Sequence, residues 1–317
     1  MKLQRFALAL AGAGLIAAAA SSVPAVATGQ ADPKPHFSDK VAHPGPVTAK
    51  AASAACQTWI GVPTAAGTMG EIDATAGKPP TSYTWDPFKF VGSRADATWY
   101  GAINAAGTQY YYYGLLLQGG NLYRHTTYLP DDADPVPTFK KVGPGWTSFK
   151  SIATSNYSVA APRHAYLYGL NTNGSLYRYQ MVGSSFRGLG PLPGFRGFKA
   201  MTVLSETATY DTLLMTTTAG ALYTVHIPIV PGAKPVLKLI RSTGWAAYES
   251  LVVEGCGTRG GSLVTGVDHN TQTADLYAMS KANGAATAIT AYGKIPGVFN
   301  GVSHVLLTTH YSQLVGE

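Results

Sequence analysis

The chain is short of charge and of cysteine. Charged residues fill 12% of its 317 positions, 16 residues are acidic, and 2 are cysteine. So few charges exclude a coiled coil, a charge-laced helix bundle and an acidic disordered chain. Two cysteines exclude a multi-disulfide miniprotein and an all-cysteine metal site. No segment carries an apolar stripe of helical period. Beyond residue 27 no apolar run approaches the ~20 residues of a spanning helix, so no membrane span is expected. There is no Gly-x-Ser-x-Gly elbow, no His-Glu-x-x-His helix and no glycine-rich phosphate loop opening a helix. The 8 histidines are scattered, and Ser, His and Asp occur without triad spacing. Hydrolytic propellers of the glycosidase type need two converging carboxylates. Here Asp131, Asp132 and Asp134 share one proline-bounded loop, while Glu249 and Glu254 flank a single strand. The expectation is no enzyme, no cofactor and no metal site; Asp268, His269 and Asn270 read as a polar loop.

What is abundant is glycine (36), proline (20) and tyrosine (19). Lys2 and Arg5, the apolar run Phe6 to Ala20 and the small-x-small site Ala25-Val26-Ala27 read as a secretory signal peptide over 1–27. Residues 28–55, with Pro33, Pro35, Pro44 and Pro46 and no periodicity, read as a flexible Ala/Pro-rich leader. The protein is therefore expected outside the cell. Its formal charge of +7 is modest and its basic residues are dispersed, which argues against nucleic acid. That balance suits work near an acidic polymer such as a cell wall.

From residue 56 onward the chain repeats. An aromatic, any residue, a small residue and an aliphatic recur at Trp99-Tyr100-Gly101-Ala102, Phe149-Lys150-Ser151-Ile152, Phe198-Lys199-Ala200-Met201, Tyr248-Glu249-Ser250-Leu251 and Phe299-Asn300-Gly301-Val302. A second series reads Asn121-Leu122-Tyr123, Ser175-Leu176-Tyr177, Ala221-Leu222-Tyr223 and Asp275-Leu276-Tyr277. A third closes each unit, as in Phe139-Lys140-Lys141-Val142 and Phe186-Arg187-Gly188-Leu189. A shared period of about 50 residues points to a propeller or another array. Each unit contains four short strand patterns bounded by Gly, Pro and Asn, and Asn173-Gly174 is a tight-hairpin signal in which both residues can take positive φ.

The expected fold is all-β: a five-bladed β-propeller over 56–317 with four antiparallel strands per blade. The repeat begins at a second strand (Trp59–Val62) and ends with a first strand near Phe299–Val305. The last blade is then closed by both termini. Ser312–Gly316 also resembles a second strand, which sets the two termini in competition for one position. Cys56 and Cys256 take similar places in neighbouring blades. In an exported chain a disulfide between them would pin the N-terminal segment to the ring; two separate buried thiols are the alternative.

Gly145-Trp146 and Phe149, followed by the run Tyr166 to Tyr179 (Tyr-Leu-Tyr-Gly-Leu-Asn-Thr-Asn-Gly-Ser-Leu-Tyr-Arg-Tyr), resemble the tachylectin-type repeat. The resemblance covers roughly 57–317. It implies a five-bladed propeller that binds N-acetylated amino sugars between adjacent blades. On that reading the candidate ligand residues are Trp99, Trp146 and Trp245, the Leu-Tyr tyrosines Tyr123, Tyr177, Tyr223 and Tyr277, the amides Asn121 and Asn171, and Arg124 and Arg178. Each has a plainer role: wedge or core packing for the aromatics, and turn or strand residues for the amides and arginines. The expected function is a secreted, non-enzymatic, lectin-like carbohydrate-binding protein for surface or wall glycans. The alternative is a propeller scaffold for an exported protein partner, with its sugar sites decayed.

Overall fold

The structure, a computed structural model, describes residues 56–130, 133–230, 232–256, 260–309 and 313–317. The expected signal peptide (1–27) and leader (28–55), Asp131, Asp132 and Ser312 lie outside the described residues.

The chain runs through β1 (Gln57–Pro63), β2 (Thr68–Thr75), β3 (Thr81–Lys89), β4 (Ala95–Asp96), β5 (Trp99–Ile103), β6 (Tyr110–Gln118), β7 (Asn121–Leu129) and β8 (Val136–Pro144). It continues with β9 (Phe149–Tyr157), β10 (His164–Asn171), β11 (Ser175–Val182), β12 (Ser185–Pro193), β13 (Phe198–Glu206), β14 (Tyr210–Thr217), β15 (Leu222–Pro228) and β16 (Val236–Arg241). The last strands are β17 (Ser250–Gly255), β18 (Ser262–Asp268), β19 (Thr273–Met279), β20 (Ile289–Lys294) and β21 (Val305–Thr309). The fold is all-β and propeller-like. Strands β9–β12, β13–β16 and β17–β20 form three separate four-stranded antiparallel meanders. A nine-stranded sheet runs β3-β2-β1-β21-β5-β6-β7-β8, with β4 on β6. Its two halves meet where β21 pairs parallel with β5, Leu307 opposite Trp99.

Sequence dictates which strand of each meander is inside. First strands such as β5 and β17 are mainly apolar and buried, with Ser250 and Glu254 the polar members of β17, whereas fourth strands such as β8 and β12 carry Lys, Arg, Gly and Pro and lie exposed. The aliphatic faces of first, second and third strands fill the space between neighbouring meanders, where Leu167, Leu213, Leu214, Val253 and Val264 have no solvent exposure. One hydrogen bond recurs around the fold. A residue one to four positions past a fourth strand donates its N–H to the hairpin between second and third strands or to the start of the third. The pairs are Phe90 to Gly67 O, Trp146 to Gly120 O, Phe195 to Gly174 O, Trp245 to Gly220 O and Ile295 to Ala274 O, at 2.8–3.0 Å.

The Asn173-Gly174 hairpin departs from the expected turn. Only Gly174 has positive φ (+87°). Gly174 N–H reaches Asn171 O at 3.1 Å, and the Asn171 and Asn173 side chains accept the N–H groups of Asn173 and Ser175. This is a type I turn followed by a left-handed glycine, with the amides serving the backbone.

Both ends of the repeat build one meander: β21 pairs β1 antiparallel, Ile60 opposite Leu306. The termini do not compete. Residues 313–317 cross instead to the space between β13–β16 and β17–β20. There Val315 bridges Ser205, Gly316 N–H reaches Leu204 O at 3.0 Å and Ala282 N–H reaches Gly316 O at 2.6 Å. Cys56 and Cys256 form a disulfide across 200 residues, tying the start of β1 to the end of β17.

Candidate functional site

The repeated aromatics assemble within each meander. Trp146 and Phe149 lie 4.6 Å apart, centroid to centroid, and meet Tyr179 and Tyr177 of β11 at 5.1 and 5.3 Å. Trp245 meets Tyr277 at 4.9 Å, and the hydroxyls of Tyr248 and Tyr277 are 2.5 Å apart. Phe198 meets Tyr223 at 5.6 Å. Trp99 is fully buried against His125 and Phe90. Trp146 and Trp245 are buried as well, so all three tryptophans are wedges, with their faces against protein. Tyr123 is half-buried on β7 and Asn121 opens that strand; neither is gathered into a cluster with the tryptophans. Asn171 is buried and committed to its turn.

The two arginines differ from these residues. Arg124 and Arg178 hold the same position on the third strands β7 and β11, and each lines a cavity between meanders. Arg124 donates to Gly183 O at 3.0 Å and its guanidinium lies 4.9 Å from the Phe186 ring centre. Arg178 donates to Pro228 O at 2.8 Å and lies over Tyr166 at 5.1 Å. Each arginine thereby bridges its own meander to the next or to the adjacent outer edge.

Between β5–β8 and β9–β12 lies a cavity of about 260 Å³. Tyr100, Tyr113 and Arg124 line one wall, and Thr154, Asn156 and Ala165 line the other. Tyr100 and Tyr113 are cross-strand partners with ring centres 5.5 Å apart. Burial and the neighbouring Glu206 hold the Tyr100 hydroxyl well above its ordinary pKa, so it stays a neutral donor and acceptor. The larger cavity, about 490 Å³ between β12 and the β15–β16 connection, is lined mostly by Gly, Pro and Leu, with Arg178 and Lys234. It offers shape but few converging polar groups.

Sequence reasoning missed the cations that bridge the meanders. Arg94 donates to Trp146 O at 2.6 Å and also to Phe149 O. Lys150 donates to Phe198 O, and Lys199 to Ala246 O and to Glu249 at 3.0 Å. The signal was present, since Lys150 and Lys199 are the second residue of the aromatic-x-small-aliphatic repeat. The polar loop at Asp268 is structural: its carboxylate accepts the N–H groups of Asn270 and Thr271, and His269 pairs with Ser250 at 2.8 Å. Among the described residues no three His, Cys, Asp or Glu side chains converge as a metal site.

No protein family and no curated protein matches the chain. Solved structures with a related arrangement include the Aleuria aurantia lectin, described as a six-bladed β-propeller with a novel fucose recognition mode. It is 11% identical and aligned over 77% of this chain and 80% of its own, with a TM-score of 0.39. The SapL1 lectin in complex with α-methyl fucoside is 10% identical over 75% and 81%, at 0.39. The WD40 domain of SCAP from fission yeast is 10% identical over 76% and 70%, at 0.33.

Proposed function

We propose that the protein is an exported, non-enzymatic five-bladed β-propeller that binds carbohydrate in the pocket between β5–β8 and β9–β12. Five blades follow from counting the nine-stranded sheet as two meanders joined by the β21–β5 pair, and from the five occurrences of the hairpin hydrogen bond. The observation that carries the binding reading is the wall chemistry of that pocket. The half-buried Tyr113 ring offers an apolar face to sugar C–H groups, and Arg124 and Asn156 offer donors and acceptors for hydroxyl and acetamido groups. The tachylectin-type resemblance adds the class of ligand, N-acetylated amino-sugar glycans of a surface or wall polymer. In this reading Arg124 touches the sugar, while the tryptophans and the Leu-Tyr tyrosines hold the blades. Titration calorimetry with N-acetylglucosamine and its short oligomers tests it: saturable heat that Arg124→Ala and Tyr113→Ala abolish without unfolding is expected. Absence of heat across a broad glycan panel refutes it.

The second reading, a scaffold for an exported protein partner, is favoured by the apolar outer strand β16, where Val236, Leu237 and Leu239 are each 40–50% exposed. Stoichiometric co-purification of one exported protein, lost on Leu237→Lys, would support it.

A further inference from the structure

Three neighbouring spaces between meanders are built on one register and filled differently. On the first wall, Tyr100 pairs Tyr113 and Leu115 pairs Arg124. One meander on, Ser155 pairs Tyr166 and Tyr168 pairs Arg178. One further, Ser205 pairs Thr212 and Leu214 pairs Thr224. On the facing walls, Ala165 pairs Asn156 in one meander and Asp211 pairs Glu206 in the next, so Ala165 stands where Asp211 stands.

In the gap between β9–β12 and β13–β16 the fully buried Asp211 carboxylate fills that position. It accepts from Ser155 at 2.5 Å and Tyr168 at 2.7 Å, and pairs with His164 at 2.9 Å. Beside the equivalent wall of β13–β16, Glu317 places a carboxylate with different partners. The Glu317 side chain accepts from Thr212, pairs with His226 at 2.9 Å and lies 3.9 Å from Lys238, while its N–H donates to Ser205 at 2.6 Å. Both filled gaps therefore hold a carboxylate. The third, with alanine at position 165, holds a cavity edged by Arg124.

We infer that the sugar bound between β5–β8 and β9–β12 carries a carboxylate, which seats where Asp211 seats one gap further on. The inference rests on the glycan reading of this pocket and narrows it to acidic sugars, such as a uronic acid or an amino sugar bearing a carboxyalkyl ether. Arg124 supplies the charge, and the Tyr100 hydroxyl occupies the register position of Ser155, while Leu115 stands at that of Tyr168, so Arg124 takes the place of that donor. Glu206 lies behind Asn156, accepting its N–H at 2.8 Å. Burial and Asp211 raise Glu206 to about 8, so it does not repel an anion at neutral pH.

The test is calorimetric titration of the full chain with N-acetylmuramic acid, N-acetylglucosamine, glucuronic acid and the non-sugar malate. Expected is at least tenfold tighter binding of N-acetylmuramic acid than of N-acetylglucosamine, with the preference erased by Arg124→Gln. Ala165→Asp, which supplies the carboxylate from within, should abolish acidic-sugar binding with an unchanged circular dichroism spectrum. Should Ala165→Asp fail to fold, the Arg124→Gln comparison decides. Equal affinity for N-acetylmuramic acid and N-acetylglucosamine overturns the carboxylate inference and leaves the glycan reading standing. Binding of malate with no sugar bound removes the glycan reading and keeps the carboxylate. No binding of any of the four overturns both.

Discussion

Raising the pH from 6.5 to 8 should destabilise this protein by several kcal/mol, because its interior holds protonated carboxyl groups. Burial, with Asp211 adding to it, pushes Glu206 from 4.5 up to about 8, and burial pushes Glu254 to about 8. Both side chains are at most 6% exposed. A carboxyl with a raised folded pKa binds its proton more tightly in the native state. Its stabilising effect is complete below 4.5 and is lost as pH climbs to 8. Two buried imidazoles act oppositely. Burial lowers His125 to about 3, and burial with the nearby His269 lowers His304 to about 3, so their effect is complete above 6.5 and is lost on acidification. Between 4.5 and 6.5 the pairs offset each other. Above 6.5 only the carboxyls titrate, and at about 1.4 kcal/mol per pKa unit for each group, two groups remove roughly 4 kcal/mol by pH 8. Glu71, raised to about 9 by burial and Asp73, steepens that arm. Urea denaturation at fixed ionic strength from pH 4 to 9 measures the curve. A maximum at mildly acidic pH with a fall on each side is expected, and Glu206→Gln should flatten the alkaline arm by about a third. Constant stability between 6.5 and 8, or an unchanged slope in Glu206→Gln, would refute the reasoning.

Three further outcomes follow from packing and topology. Cys256→Ser opens a bridge spanning 200 residues and should cost about 2–5 kcal/mol, read as a lower urea midpoint that reductant reproduces in the parent protein. Trp146→Ala, which empties the wedge between Phe149 and Tyr179, should cost about 3–5 kcal/mol, while any molecules that remain folded keep the sugar affinity of the parent. Gly169→Ala would set a methyl group 2.6 Å from the Phe149 ring and should cost about 1–3 kcal/mol, measured as a drop in thermal midpoint.

Much of the fold was legible because a repeat states the same local rule several times. The aromatic-x-small-aliphatic series marked first strands at Phe149 and Phe198, but its Trp99 copy is out of register, with Trp99 at the position of Thr154 and Ala95 at that of Ser151; the Leu-Tyr series marked the third strands, and the offset between the two ends of the repeat placed β21 beside β1. The Cys56–Cys256 bond followed from the same register. The Asn173 turn was misread because Asn and Gly satisfy two turn types, and the choice lies in side-chain bonds from Asn171 and Asn173 to the backbone. The site was less legible. Arg124 and Arg178 look alike in sequence, and what separates their surroundings is Ala165 against Asp211, residues of the following meander whose facing positions emerge only once strands are paired. The tryptophans drew attention as sugar platforms, yet Trp146 and Trp245 share their position with Phe90, Phe195 and Ile295, a large apolar wedge in every unit that the spacing of the units requires.

The three fillings also bear on valency. A ring of equivalent sites would gain strength by avidity, but only where several sites are open at once. The gap closed by Asp211 cannot open cheaply. Removing that carboxylate would strand Ser155, His164 and Tyr168 without their buried partner, at about 1–3 kcal/mol for each polar group left unsatisfied. The gap closed by residues 313–317 is different in kind. Its filler is the segment 313–317, held by a few backbone hydrogen bonds and by pairing of Glu317 with the partly exposed His226 and Lys238. Segments held by few backbone hydrogen bonds and partly exposed ion pairs are where local opening costs least. On the glycan reading, one of these three gaps, the one with Ala165, holds a cavity in place of a carboxylate. A second becomes available only if the segment 313–317 is released or cut, and the Asp211 gap stays shut in either state.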